Sequence, residues 1–280
     1  MEIGGSTLVG YPDGGIRGRS AVLATVPVGG THGTIVAETP FHPLDHTWPD
    51  QPADLGTIAG IAVTDCLTGA VADGERAVHV GEDIPVRRGA PGWSWLVVHV
   101  TGEPVPEGEV ELVVDAERRH ALSAGHTACH LTALALNAAL ADRWRKEVAV
   151  DGLGNPDFDQ TAITSSRILP RGSRDVYRLG KSLRRKGFTA DGLAESLTEI
   201  TRTIDGRLKE WIEADAPVWI ESPGPELTAR RAWHCGLPAG EVAIPCGGTH
   251  LSRTSQLGSV TTTLDLSADG AELTMRTTVG

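Results

Sequence analysis

Val114-Asp115-Ala116-Glu117-Arg118-Arg119-His120-Ala121-Leu122-Ser123-Ala124-Gly125-His126-Thr127-Ala128-Cys129-His130-Leu131 is the stretch where the chain changes character. Upstream, apolar runs at residues 21–26, 34–36 and 95–100 lie between Gly- and Pro-rich turns, a pattern of short strands that suits a small barrel or sandwich. Residues 102–108 read as a linker, and a short strand over 109–114 leads into the quoted segment. From residue 115 to about 146 the chain is rich in Ala, Leu and Arg and has no Pro, which predicts one long helix, with Gly125 as the place for any break. Asp115 supplies the N-cap, and Glu117 puts negative charge in the first turn.

Beyond the long helix, residues 151–190 look irregular and basic. A second helix is expected over 191–211, because Leu193, Leu197, Ile200, Ile204, Leu208 and Trp211 recur at three- and four-residue steps and form one apolar stripe. From Val218 onward the pattern is again that of strands. The expected class is α+β, with a β-domain over residues 1–105 and an α+β domain with an antiparallel sheet and packed helices over residues 106–280.

Composition narrows the function classes. Of 280 residues, 40% are hydrophobic and 22% charged, as in an ordinary globular protein and unlike a disordered or fibrous one. Only 4% are aromatic, so the core must rest on aliphatic side chains with seven Trp as large fillers. The first residues, Met1 to Gly5, carry no basic segment followed by an apolar run, and no stretch is apolar enough to span a bilayer. The expectation is a cytoplasmic protein with no membrane partner. The four cysteines, Cys66, Cys129, Cys235 and Cys246, are then more suited to metal, catalysis or core packing than to disulfides. A net charge of −11 argues against a general nucleic-acid binder and against DNA as a partner.

Two motifs carry chemistry. In His126-Thr127-Ala128-Cys129-His130 the two imidazoles are four apart, on one face of a helix, and can reach one ion. In Cys246-Gly247-Gly248-Thr249-His250 a Cys and a His flank two glycines that permit a tight turn. Three imidazoles and a thiolate suit tetrahedral zinc, so His126, His130, Cys246 and His250 are the expected ligands of one zinc ion. His42 and His46 are also four apart, but Pro43 and Pro49 argue against a helix there.

With these residues in view, the chain resembles a known family. Residues 114–119 followed by His126-Thr127-Ala128-Cys129-His130-Leu131 resemble the first zinc motif of alanyl-tRNA synthetase editing domains and of their freestanding relatives, the AlaX proteins. Pro245-Cys246-Gly247-Gly248-Thr249-His250-Leu251, with Thr254 and Gly258 beyond, is similar to the second, although the family commonly has Glu where Gln256 stands. Phe41-His42-Pro43 and Gln51-Pro52-Ala53-Asp54-Leu55-Gly56 are similar to an upstream segment whose paired glycines are missing here, where Thr47-Trp48-Pro49-Asp50 precedes Gln51. The likeness runs over roughly residues 35 to 260 and is loose between 150 and 215.

The resemblance implies a small β-barrel over the first 105 residues and a zinc-dependent editing domain after it. It implies a freestanding hydrolase that acts in trans on the ester joining an amino acid to the 3′ end of a mis-acylated tRNA, with seryl- or glycyl-tRNA(Ala) as the usual substrate. Catalysis would centre on His126, His130, Cys246 and His250, and Thr127, Cys129, Gln51 and Asp54 would contact the substrate. Cys129 stands where Thr is common. With the departures at 47–50, that substitution opens a second substrate, a threonine analogue, as in a fluorothreonyl-tRNA(Thr) deacylase.

From Arg167 to Lys186 eight basic residues face only Asp175, a local stripe suited to phosphates. Lys181, Arg184, Arg185 and Lys186 are the expected tRNA contacts, with Tyr177 or Phe188 as stacking platforms. Two rival classes stay open: a non-catalytic, zinc-stabilised tRNA-binding module, and a hydrolase of small esters or amides. The latter would lack the His-Glu-x-x-His general base, since no Glu lies between the two His. A homodimer is left open.

Overall fold

Alternation of side chains, buried towards two different cores, builds the first part of the chain. In a computed structural model that describes residues 4–280, the strand Trp93–Thr101 sends Trp95 and Val97 into one apolar cluster and Leu96 and Val98 into another. A strand covered on both faces reads as a continuous apolar run, which is why Trp-Leu-Val-Val stands out in the sequence. The opening residues Met1 to Ile3, read above for a leader, lie outside the described residues.

In chain order the first elements are β1 (Leu8–Val9), β2 (Arg17–Val28), β3 (Thr31–Val36), β4 (Glu38–Thr39), β5 (Gly56–Ile58), β6 (Ile61–Ala72), β7 (His79–Val80), β8 (Trp93–Thr101) and β9 (Glu109–Val114). Seven of them form an antiparallel sheet ordered β5-β9-β2-β3-β8-β6-β7. Strand β5 also pairs with β6, so the ladders run through six strands and return to their start. The main cluster inside includes Phe41, Ile58, Cys66, Trp95, Val97 and Leu112.

The remaining elements are α1 (Ala116–Ala139), α2 (Phe158–Ala162), β10 (Ile163–Leu169), β11 (Gly172–Arg178), α3 (Lys181–Arg185), α4 (Leu193–Glu213), β12 (Val218–Glu221), β13 (Ala232–Leu237), β14 (Gly240–Pro245), β15 (Val260–Leu266) and β16 (Glu272–Val279). They include an antiparallel sheet ordered β10-β11-β16-β15 and a three-stranded one ordered β12-β13-β14. Helix α4 packs on β15, and Ile200, Ile204, Leu208 and Trp211 of the stripe the sequence shows are buried. The protein is thus a mixed α/β chain dominated by antiparallel sheet, with few helices. It divides into two compact units, one running to residue 120 and taking in 220–232 and 246–249, the other comprising 121–219, 233–245 and 250–280.

Helix α1 is capped as expected, the Arg118 N–H donating to Asp115 Oδ1 at 3.0 Å. It is shorter than expected. It ends at Ala139, because the chain turns through Ala141–Arg143 to pair Trp144 with Phe188, the Arg145 N–H donating to the Gly187 carbonyl at 3.0 Å. It also runs unbroken through Gly125. That glycine serves close approach: a Cβ there would stand 2.3 Å from the Leu169 carbonyl and 2.5 Å from that of Gly172.

Residues 151–190 are not irregular. They contain a hairpin, β10–β11, closed by Pro170 and Arg171, with Arg171 at φ 58°. Its inward positions on β11 are Ser173, Asp175 and Tyr177, so no apolar alternation betrays it. The stacking role expected of Tyr177 and Phe188 is corrected here. Tyr177 is fully buried and Phe188 nearly so, packed with Phe158 at ring distances of 5.2 and 5.0 Å, and neither offers a face to a base.

Candidate metal centre

His126 and His130 project from one side of α1, their ring centroids 4.9 Å apart. The ring of His250 stands 4.2 Å from that of His126 and 5.1 Å from that of His130. Cys246 is tethered to His250 by only three residues. The four potential ligand atoms all lie within 4.8 Å of one another. A tetrahedral zinc would draw them to separations of about 3.3–3.8 Å, a change within the reach of side-chain rotation.

The donors fit a cation in their chemistry as well. Burial holds the His130 imidazole at a pKa of about 4, and so neutral, the form that coordinates. Its Nε2 is buried without a hydrogen-bond partner, an arrangement that costs free energy unless something accepts the lone pair. The indole of Trp233, itself buried, lies 4.9 Å from the His130 ring. Burial pushes the Cys246 thiol up to about 12, while the Gly248 N–H, 3.5 Å from Sγ, opposes that rise. Metal binding would have to displace the thiol proton.

The turn from Cys246 to His250 brings their donor atoms within 4.8 Å of each other. Neither Gly247 nor Gly248 has a positive φ. The amide of Gly248 faces the Cys246 sulfur.

The side chains that surround the ligands were expected to touch substrate, and their positions are as follows. Gln51 is buried, donates to Thr249 Oγ1 at 2.9 Å, and accepts the Thr249 N–H at 3.0 Å. Asp54 is buried against Arg119, accepting from its Nε at 2.9 and 3.1 Å and from Nη2, and it also accepts the His42 N–H at 2.6 Å. Thr127 is fully buried beside His250. Cys129 faces Ser166 and Asp175, its Sγ 3.6 Å from Asp175 Oδ1, and packs with Leu122 and Ile168. Lys181, Arg184, Arg185 and Lys186 are all exposed, on α3 and just after it.

Sequence reasoning missed Trp233 and Arg119 as parts of this neighbourhood. The only available signal for Arg119 was its place in the Asp115–Arg119 motif, and nothing set Trp233 apart from the other six Trp. The remaining histidines behave as core or surface groups. His99 is buried between Thr39 Oγ1 at 2.8 Å and the Thr34 carbonyl at 3.1 Å, and His46 stacks on Trp95. Cys66 and Cys235 are buried free thiols.

Comparison with known proteins agrees with the motifs. The chain is 25% identical over 241 residues to the alanine–tRNA ligase of Halobacterium salinarum, a match covering 82% of this chain and 21% of the ligase. It is 27% identical over 208 residues to that of Saccharopolyspora erythraea, covering 71% of this chain and 21% of the ligase. The chain therefore spans about one fifth of the length of the curated relatives it matches. No protein-family model matches it. Among solved structures, a bifunctional dehydratase-cyclase domain from ambruticin biosynthesis aligns with 96% of this chain and 76% of its own, at 12% identity and a TM-score of 0.15, far below the level of a shared fold.

Proposed function

We propose that this protein is an aminoacyl-tRNA deacylase, which hydrolyses the ester of a mis-acylated tRNA with a zinc ion held by His126, His130, Cys246 and His250. The observation that carries the reading is the convergence of those four donors, in a chain four-fifths of which is similar to part of an alanine–tRNA ligase. Zinc at such a site lowers the pKa of bound water and polarises an ester carbonyl. The chain's own residues supply the rest. Gln51 fixes the turn that carries Cys246 and His250 by gripping Thr249 at both its N–H and its hydroxyl. Asp54 and Arg119 anchor the start of α1, from which His126 and His130 project. The indole of Trp233 lies against the His130 ring.

The returning ladder of six strands supports reading the amino-terminal unit as the small β-barrel of the family. The exposed cations Lys181, Arg184, Arg185 and Lys186 suit the phosphates of the tRNA acceptor end. Within this reading the amino acid is serine or glycine on tRNA(Ala), or a threonine analogue such as fluorothreonine on tRNA(Thr), and a panel of charged tRNAs separates them.

The test uses seryl-tRNA(Ala), glycyl-tRNA(Ala), threonyl-tRNA(Thr) and fluorothreonyl-tRNA(Thr) with the zinc-loaded protein and with His130→Ala. Deacylation of at least one substrate, lost in the variant together with bound zinc, is expected. Zinc binding with no deacylation of any of them would leave a non-catalytic tRNA-binding module in its place.

A further inference from the structure

We propose that Thr127 is a positioning residue of the metal centre, holding His250 so that its Nε2 turns to the ion, and is not a contact for the amino acid; the proposal rests on the zinc reading above. His126, Thr127 and His130 fall within about 100° of the helix circumference, so the hydroxyl stands beside the two imidazoles. Its Oγ1 accepts the Leu251 N–H at 3.0 Å and lies 3.3 Å from Nδ1 of His250. The side chain thus grips both the histidine and the residue after it.

A hydroxyl oxygen has two lone pairs. With one taken by the Leu251 N–H, the other faces the imidazole and accepts a proton carried on Nδ1. A neutral imidazole protonated at Nδ1 has its lone pair on Nε2, the atom a metal needs. Histidines that bind metals as a rule donate their second ring N–H to such an acceptor, which sets both the tautomer and the ring plane. Thr127 has no exposed surface, so it has none to offer a substrate. Its burial and both contacts are accounted for by His250 and Leu251.

Threonine has two near-equivalents that separate the roles. Thr127→Val keeps the shape and removes the hydroxyl, whereas Thr127→Ser keeps the hydroxyl and removes a methyl. The experiment measures zinc affinity by competition with a chelator, the visible absorption of the cobalt(II)-loaded proteins, and the thermal unfolding of each metal-free protein. Thr127→Val is expected to lose about 10–100-fold in zinc affinity and to shift the cobalt spectrum, and Thr127→Ser to restore both. A residue that only packs would lower the metal-free unfolding temperature and leave affinity and spectrum alone. Wild-type zinc affinity and an unchanged spectrum in Thr127→Val would overturn the proposal while leaving the zinc reading intact. Failure of the wild-type protein to take up zinc or cobalt would overturn both.

Discussion

Asp54 and Asp159 are both drawn out of water, and their partners differ. Asp54 has no exposed surface, and Arg119 and the His42 N–H satisfy both of its oxygens. Removing one member of such a pair strands the other charge. Asp54→Ala is therefore expected to cost about 3–5 kcal/mol in denaturant unfolding, whereas Arg202→Ala, which breaks an exposed pair with Glu199, should cost less than about 1 kcal/mol. Asp159 has no cation. Burial raises its carboxyl to about 7, with Tyr177 donating to Oδ1 at 3.0 Å in partial relief. The folded protein binds this proton up to about pH 7 and the unfolded chain only to its ordinary value of 3.8, so the stability it contributes is full below pH 3.8 and is lost as pH rises to about 7. Relative to Asp159→Asn, the wild type should lose about 1 kcal/mol per pH unit across that window. Parallel stability curves for the two proteins would refute this account. The sequence displays both residues as isolated Asp and offers no sign of which has a partner, because Arg119 lies 65 residues from Asp54.

At the level of the elements, α1 and α4 show two ways a helix is written. Helix α4 is covered on one side, so its apolar residues repeat at helical spacing and its limits, Leu193–Glu213, fall within two residues of those expected. Helix α1 is buried almost all round from Leu122, and its residues are therefore small or apolar on every side, with no stripe to find. Its glycine is the sharpest case. In an exposed helix Gly→Ala gains up to about 1 kcal/mol. Here the added methyl meets two backbone carbonyls, which cannot rotate away as a side chain could. Gly125→Ala should destabilise the protein by about 1–3 kcal/mol despite its better helix propensity, and a higher midpoint in urea would show that the β10–β11 hairpin yields more readily than this geometry allows. The hairpin itself is the element that pattern reading lost. On β11 one face carries Ser173, Asp175 and Tyr177, and the other carries Val176 between exposed Arg174 and Arg178, so polarity suggested a loop where hydrogen bonds make strands.

Over the whole molecule, charge is unevenly distributed. A net charge of −11 coexists with a basic run from Arg167 to Lys186. On the proposed function, replacing Lys181, Arg184 and Arg185 with Ala should weaken tRNA binding and reduce its dependence on salt by roughly 2–3 units of log K per log[salt], with zinc content unaltered. Equal salt slopes for variant and wild type would remove this segment from the tRNA footprint. No helix among the described residues is long and apolar enough to cross a membrane. By itself the amino-acid sequence showed that the amino-terminal part is rich in strands, where the two long helices lie, and which four side chains cluster. Those features rest on local periodicity and on ligand chemistry, both of which are written in neighbouring residues. Only the tertiary structure decided that His250 lies against His126, that Thr127 and Gln51 contact the turn that carries His250, and that Tyr177 and Phe188 are buried. Those facts depend on contacts between residues far apart in the chain, and a buried polar side chain looks the same in a sequence as an exposed one.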